Sequence, residues 1–172
     1  MAKILGEKET IFSSTIKYVG IFSFVDFYKF CYEWIKEETG MDPLTETKYE
    51  EKLKGDEKEI VVEWKGEKKL TDYFRFDVEV KFEIRDLKNI EIEQSGKKIK
   101  TNDGSVKINI KGILVRDYKG KFEMSAFNKF LRSIYEKWVI PARIEEYEGK
   151  IAGSCDEFLS QAKSYLDLEG KR

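Results

Sequence analysis

The chain has 172 residues, of which 41% are hydrophobic and 38% are charged, and its formal net charge is -1. This length predicts one domain, with room for a small appendage. Histidine is absent, which excludes Ser-His-Asp and Cys-His catalysis as well as zinc sites with histidine ligands. The two cysteines do not form the framework of a secreted disulfide protein. No apolar run approaches the ~18 residues of a membrane span, and no signal peptide is evident, so we expect a soluble, cytoplasmic protein.

A strand and then a helix are predicted at the start of the chain. Residues 9–19 are rich in β-branched side chains, which favour a strand. Ser23 can cap a helix N-terminus and Asp26 follows three residues later, so a helix is predicted over residues 24–38, ending before Gly40. Phe30 lies outside the broad apolar arc of this helix. We therefore expect the helix to contact more than one surface.

The middle of the chain alternates between apolar and polar residues, which is the period of a β-strand. Residues 70–84 show it most clearly, because Phe74, Phe76 and Val78 alternate there with charged residues. Turn residues divide the segment into strands at 48–54, 60–64, 70–84, 89–93, 97–100 and 106–115. One charged and one apolar face predict an antiparallel sheet that is covered on one side. Gly112 interrupts the alternation, which predicts a β-bulge.

Two apolar stripes of different direction follow the sheet. The first belongs to a helix predicted over residues 125–140, with Ser125 as its N-cap, which we expect to cover the sheet. Its members are Phe127, Phe130, Leu131, Ile134 and Trp138. The second begins around Pro141 and points well over ~90° away from the first. Its members are Ile140, Ile144, Tyr147 and Ile151. Ser154 and Glu157 have the spacing of a capping box, so a separate final helix is predicted to about residue 167.

The sequence therefore predicts an α+β fold in which a curved antiparallel sheet of about seven strands, in β-α-β6-α order, is covered by a long C-terminal helix. This order resembles the helix-grip superfamily of START and Bet v1-like domains, whose sheet wraps around a long helix. The resemblance covers residues 9–140 and is based on the order of elements, without a sequence motif. Residues 1–140 would form this domain, and residues 141–172 would form a helical extension packed on the same domain or on a partner.

Members of the superfamily often hold an apolar ligand between sheet and helix. We expect Trp64, Phe76, Tyr135 and Trp138 to contact such a ligand. The alternative is a solid core, because large aromatic side chains fill space as readily as they line a cavity. No cofactor is predicted, and no metal site, because the sequence contains no Asp-rich loop with EF-hand spacing.

Ile144, Tyr147 and Ile151 need a cover that the first stripe does not provide. One explanation is a helical hairpin, in which the final helix covers these residues within one chain. The other is a subunit interface in a homo-oligomer, because an exposed apolar patch of this size usually marks a partner.

Three further features concern thiol reactivity, carboxylate pairs and local charge. Cys155 is expected at a helix N-terminus, where thiol pKa values fall, but the adjacent Asp156 and Glu157 oppose a thiolate. The many carboxylate pairs are expected to lie on a solvated face. Residues 97–121 carry a local excess of about +6 charges, which suits either an anionic partner or a solvated strand face. Nucleic acid is the partner that we least expect, because no stacking aromatic residues accompany the lysines.

We therefore predict a non-enzymatic binding or assembly module that holds an apolar, lipid-like small molecule or self-associates through its C-terminal helices. One alternative is a structural homo-oligomeric or adaptor protein without a pocket. Another is an enzyme that acts on an apolar substrate through carboxylate, Tyr or Lys chemistry. The sequence assigns no catalytic residue.

Overall fold

The computed structural model describes residues 7–119, 126–139 and 141–170. Ser125 and Ile140, which the sequence analysis assigns to an N-cap and an apolar stripe, lie outside these ranges, as do residues 120 and 121 of the basic stretch. The strands are β1 (Glu7–Ile21), β2 (Leu44–Lys54), β3 (Glu57–Lys69), β4 (Phe74–Gln94) and β5 (Lys97–Arg116). The helices are α1 (Phe24–Thr39), α2 (Ala126–Ile134) and α3 (Pro141–Gly170), with a π-helical turn at Tyr135–Val139 between the last two.

The strands form one antiparallel, open sheet in the order β1-β5-β4-β3-β2, which confirms the predicted α+β class and antiparallel sheet. The predicted number of seven strands is wrong, and so is the β-α-β6-α order, because four strands follow α1. β4 and β5 each combine two predicted strands into one of 21 and 20 residues.

Continued pairing explains why these strands do not end where the sequence predicts. The ladder between β4 and β5 resumes at Lys88–Asp103 after a register shift and runs on to Gln94–Lys97. Gly104 allows the two backbones to approach, because a Cβ atom there would lie 3.0 Å from the carbonyl oxygen of Arg85. Residues 102–104, predicted as a turn, are therefore part of β5.

Two of the turns that the sequence predicts between strands are confirmed, whereas Gly66, where it also predicts a turn, lies inside β3. Gly55 joins β2 to β3 with a φ of 62°, and Ser95 and Gly96 join β4 to β5 with φ values of 53° and 78°. The consecutive positive φ values of Ser95 and Gly96 match the right-handed twist of a hairpin, and glycine adopts positive φ without the steric penalty of a Cβ atom.

Helix α1 begins and ends as predicted. The Ser23 hydroxyl accepts a hydrogen bond from the Asp26 amide at 3.4 Å, and the helix ends at Gly40 in the left-handed conformation. The side chain of Asn102 adds a second cap, because its Oδ1 accepts a hydrogen bond from the Phe24 amide at 3.0 Å.

α1 contacts two surfaces, as its broad apolar arc predicts. Phe27 packs edge-on against Phe82 of the sheet at a ring-centroid distance of 6.3 Å. Phe30, which lies outside the arc, stacks on Tyr165 of α3 at 4.6 Å.

The predictions of a helical hairpin and of a separate final helix are wrong, because helix α3 covers the remaining part of the apolar side of the sheet. It is one continuous helix of 30 residues rather than a hairpin, and it packs on β1 and β5. Proline is tolerated at its first position, where the missing N–H would have no intrahelical partner. The apolar side of α3 faces the core at intervals of three or four residues, which is one helix face. Its members are Ile144, Tyr147, Ile151, Cys155, Phe158, Ala162 and Tyr165.

Gly112 marks the closest approach of α3 to the sheet. A Cβ atom there would lie 2.6 Å from Cγ2 of Ile151 and 2.8 Å from Sγ of Cys155. The bulge predicted at this glycine is not in β5, whose pairing with β4 is regular there; the register shift is in β1, between Thr10 and Phe12. The absence of a side chain at Gly112 thus makes room for the helix.

Candidate binding face

The first apolar stripe after the sheet does not cover the sheet, so that prediction is wrong. Phe127 is 67% exposed, Phe130 60% and Trp138 72%. The reason is that α1 and α3 already cover the apolar side of the sheet. The exposed large apolar residues of α2 and the π-helical turn lie along one side of this segment, and we name them the α2 face. They are Phe127, Phe130, Leu131, Ile134, Tyr135 and Trp138.

The opposite side of α2 is anchored to the end of the sheet. The Nε of Arg132 donates a hydrogen bond to the Tyr73 hydroxyl at 2.9 Å, and its Nη2 lies 2.8 Å from a carboxylate oxygen of Glu7. Arg132 is buried, and Tyr73 also packs edge-on against the ring of Tyr135 at 5.6 Å. These contacts fix the orientation of the helix, so the α2 face is presented outward in a defined direction.

The α2 face is large for a surface patch on a domain of this size. Taking ~150–250 Å² for a whole aromatic side chain, the exposed fractions of its six residues add to roughly 600 Å². The largest apolar patch on a typical monomer is about 300–600 Å² and is often functional. The six residues carry no charge, although the Lys137 ammonium lies 5.4 Å from the centroid of the Trp138 ring. The face is therefore suited to an apolar contact.

The predicted ligand contacts separate into two pairs. Trp64 and Phe76 are buried in the core, where the Trp64 ring packs against Phe82 at 4.7 Å. Tyr135 and Trp138 belong to the α2 face. The structure therefore does not gather the four around one interior space, and the apolar ligand between sheet and helix stays a prediction.

A tyrosine of α1 closes the outer side of Trp64. The Tyr28 ring packs edge-on against the indole at 5.1 Å, and its hydroxyl donates a hydrogen bond to Glu46 at 2.6 Å. Burial, followed by this hydrogen bond to a carboxylate, raises the pKa of Tyr28 to about 12. Tyr28 is thus a protonated hydrogen-bond donor near neutral pH, and its ring packs against the core.

The predicted interface residues lie on the inner side of α3. Tyr147 packs against Phe74 at a ring-centroid distance of 5.3 Å, Ile151 is buried beside Gly112, and Ile144 is half-buried against the same core. The sheet of the same chain covers these three residues. The sequence predicts that either a final helix or a second subunit would cover them.

Both cysteines are buried, and Cys155 lies in the middle of α3 rather than at a helix N-terminus. Burial raises the pKa of the Cys155 thiol to about 12 and that of Cys31 well above its ordinary value. This direction is opposite to the one a reactive thiolate requires.

The basic stretch in β5 faces acidic partners across the sheet. Its lysines pair in register with glutamates of β4, and opposite charges at such positions attract each other. The pairs are Glu79–Lys111, Glu83–Lys107, Glu91–Lys100 and Glu93–Lys98. Of the two explanations for the local excess of charge, this arrangement favours a solvated strand face.

Two other classes of site find no support in the described part of the chain. Residues 7–119, 126–139 and 141–170 contain no group of three or more Cys, Asp or Glu side chains placed to hold a metal ion. Nor does any helix within these ranges combine the length and the apolar character needed to cross a lipid bilayer.

No protein-family model matches the sequence, and comparison with curated proteins found no match either. The resemblance to START and Bet v1-like domains therefore stays a prediction.

The sequence alone shows the stripe on α2 but not its exposure. The signal that indicates exposure is the second stripe, which continues beyond Ile151 through Cys155 and Phe158 and is longer than the first. Tyr135 is the member of the face that the predicted stripe does not include, although the sequence places it among the ligand contacts.

Proposed function

We propose that this protein is a non-enzymatic binding or assembly module whose α2 face contacts another macromolecule. One observation supports the proposal most strongly: six large apolar side chains are exposed on one side of a segment whose other side is anchored by a buried arginine. Isolated exposed apolar residues are normal on protein surfaces, whereas a contiguous face of this size usually marks an interaction site.

Burial of the face provides a driving force for association. At ~25 cal/mol per Å², removing roughly 600 Å² of apolar surface from water contributes about 15 kcal/mol before other terms are counted. Loss of translational and rotational freedom offsets much of this gain. The anchor formed by Arg132, Tyr73 and Glu7 reduces a further penalty, because the helix does not have to be ordered on binding.

An ion pair with a buried carboxylate holds two neighbouring side chains of β4 together. Asp77 is the most buried carboxylate of the described residues, and it accepts two hydrogen bonds from Arg75, at 2.7 and 2.9 Å. A guanidinium that donates two hydrogen bonds to one carboxylate fixes the orientation of both side chains.

Site-specific photo-crosslinking in the native host cell tests the proposal. A benzophenone amino acid replaces Phe130 on the α2 face, and in a matched control it replaces Leu53, which is 72% exposed on β2. We expect discrete adducts of higher mass from position 130 and few from position 53. Equal adduct yields from the two positions would contradict the proposal.

A further inference from the structure

We propose that the occupant of the α2 face is a second copy of this chain, packed through an antiparallel contact between two α2 segments around a two-fold axis. This inference rests on the proposed function, because it names the partner of the same face.

The order of residues on the α2 face is self-complementary. Counted along the sequence, Phe127 and Trp138 are equally far from the midpoint between Arg132 and Ser133, and both are aromatic. Phe130 and Tyr135 form a second equidistant aromatic pair, and Leu131 and Ile134 form an aliphatic pair closest to the midpoint.

A two-fold axis through this midpoint brings each residue of one copy to its counterpart in the other. This is the requirement of an isologous interface, in which residue i contacts residue j and residue j contacts residue i. The aliphatic pairs meet at the centre, and the aromatic pairs surround them. Such a centre of apolar residues with aromatic anchors is typical of stable interfaces.

The helix dipoles favour the antiparallel over the parallel arrangement, because they attract each other when the helices are antiparallel.

The area of the face agrees with a homodimer. Roughly 600 Å² from each copy gives about 1,200 Å² in total, which is at the lower end of the range for specific interfaces. Such an area corresponds to a reversible dimer.

A lipid surface suits the face less well. A helix that lies in a membrane interface carries several lysines or arginines on its polar side to bind anionic headgroups. In α2 and the π-helical turn, Arg132 is already occupied by Tyr73 and Glu7, and Lys129 and Lys137 are the remaining cations of this segment.

Sedimentation velocity on the purified full chain, from low micromolar to several hundred micromolar concentration, measures the association. We expect a reversible monomer–dimer equilibrium. Phe130→Glu should weaken it by at least about 100-fold, because each dimer contains the substitution twice and truncated hot-spot residues each reduce affinity by about 30-fold or more. Leu53→Glu, at a comparably exposed site, should leave the equilibrium unchanged.

Cysteine trapping tests the two-fold geometry. Phe127→Cys and Trp138→Cys variants are mixed in equal amounts and oxidised, and the native Cys31 and Cys155 are buried and react slowly. We expect a disulfide between positions 127 and 138 of different copies to form faster than either self-linked species. Preferential linkage of position 127 to itself would overturn the antiparallel arrangement.

Monomeric behaviour at all concentrations would overturn the inference, and so would a dimer that Phe130→Glu does not weaken. Cosedimentation of a monomer with vesicles of phosphatidylcholine and phosphatidylglycerol, lost in Phe130→Glu, would identify a membrane as the occupant instead. A membrane contact would also replace the macromolecular partner of the proposed function, whereas a monomer that still crosslinks at position 130 and not at position 53 would leave the proposed function standing.

Discussion

Replacement of Gly112 by alanine tests the placement of α3 on the sheet. The added methyl group would meet Cγ2 of Ile151 at 2.6 Å and Sγ of Cys155 at 2.8 Å, and both side chains are buried. Neither atom is at the end of a long flexible side chain, so α3 or β5 must move. The backbone of Gly112 does not have a positive φ, so any loss of stability reports the contact with the helix.

Overpacking of this kind destabilises a core by about 1–3 kcal/mol. For a chain of this length, each ~1 kcal/mol shifts the melting temperature by about 2–4 °C. We therefore expect Gly112→Ala to lower both the melting temperature and the free energy of unfolding, which urea denaturation monitored by circular dichroism measures.

Glycines inside α3 provide matched controls. No atom lies within 4 Å of the position of a Cβ at Gly149 or Gly153, so an alanine there meets open space. Because alanine favours a helix over glycine, Gly153→Ala should raise the free energy of unfolding by about 0.5–1 kcal/mol. The same chemical change therefore has opposite signs at the two sites.

A double-mutant cycle identifies the contact. Cys155→Ala removes the sulfur atom that the new methyl group meets, so the double variant Gly112→Ala/Cys155→Ala should lose less stability than the two single losses combined. If Gly112→Ala is as stable as the parent chain, or if the two effects are additive, then α3 does not pack at Gly112 as described.

Three further predictions concern the caps and the buried groups. Asn102→Ala removes the side-chain cap on the Phe24 amide and should lower the free energy of unfolding by about 1 kcal/mol in urea denaturation. Asp77→Ala removes the carboxylate that accepts two hydrogen bonds from Arg75 and should lower it by about 1.5–3 kcal/mol in the same assay. Burial raises the pKa of Cys155 from an ordinary value of 9.0 to about 12, so the unfolded chain releases this proton first and stability should fall as pH rises above 9. Chemical denaturation between pH 8 and 11 should show this slope, with a smaller slope in Cys155→Ala.

Each of these predictions has a control. Asn89→Ala removes a side-chain partner of Asn102 but leaves the amide of Phe24 capped, so it should have a smaller effect than Asn102→Ala. Glu59→Ala breaks an exposed pair with Lys54 and should leave stability nearly unchanged. An equal alkaline slope in the parent chain and in Cys155→Ala would assign the pH dependence to other groups.

Local features of the fold could be predicted because neighbouring residues in the chain decide them. Ser23 and Gly40 limit α1 through hydrogen bonding and backbone conformation within a few residues. The turns at Gly55 and Ser95–Gly96 depend in the same way on positive φ values. The alternation in residues 70–84 determines which side of β4 is apolar, whatever covers that side.

Features that depend on distant pairing could not be predicted from the sequence. Residues 102–104 have strong turn propensity, but hydrogen bonding to the neighbouring strand holds them extended, so two predicted strands become one. Gly112 suggested a local irregularity in β5, whereas its role is to admit Ile151 and Cys155 of α3.

The candidate site shows the same division. The sequence by itself determined that residues 127–138 form an amphipathic segment and named five of the six residues of the α2 face. Only the tertiary structure decided that this stripe faces outward. Two stripes were available for one apolar side of the sheet, and α3, with its longer stripe and its close approach at Gly112, occupies that side together with α1. An apolar stripe on a helix indicates that its side chains favour burial. Which stripe is buried depends on which helices pack on the limited apolar surface of the sheet.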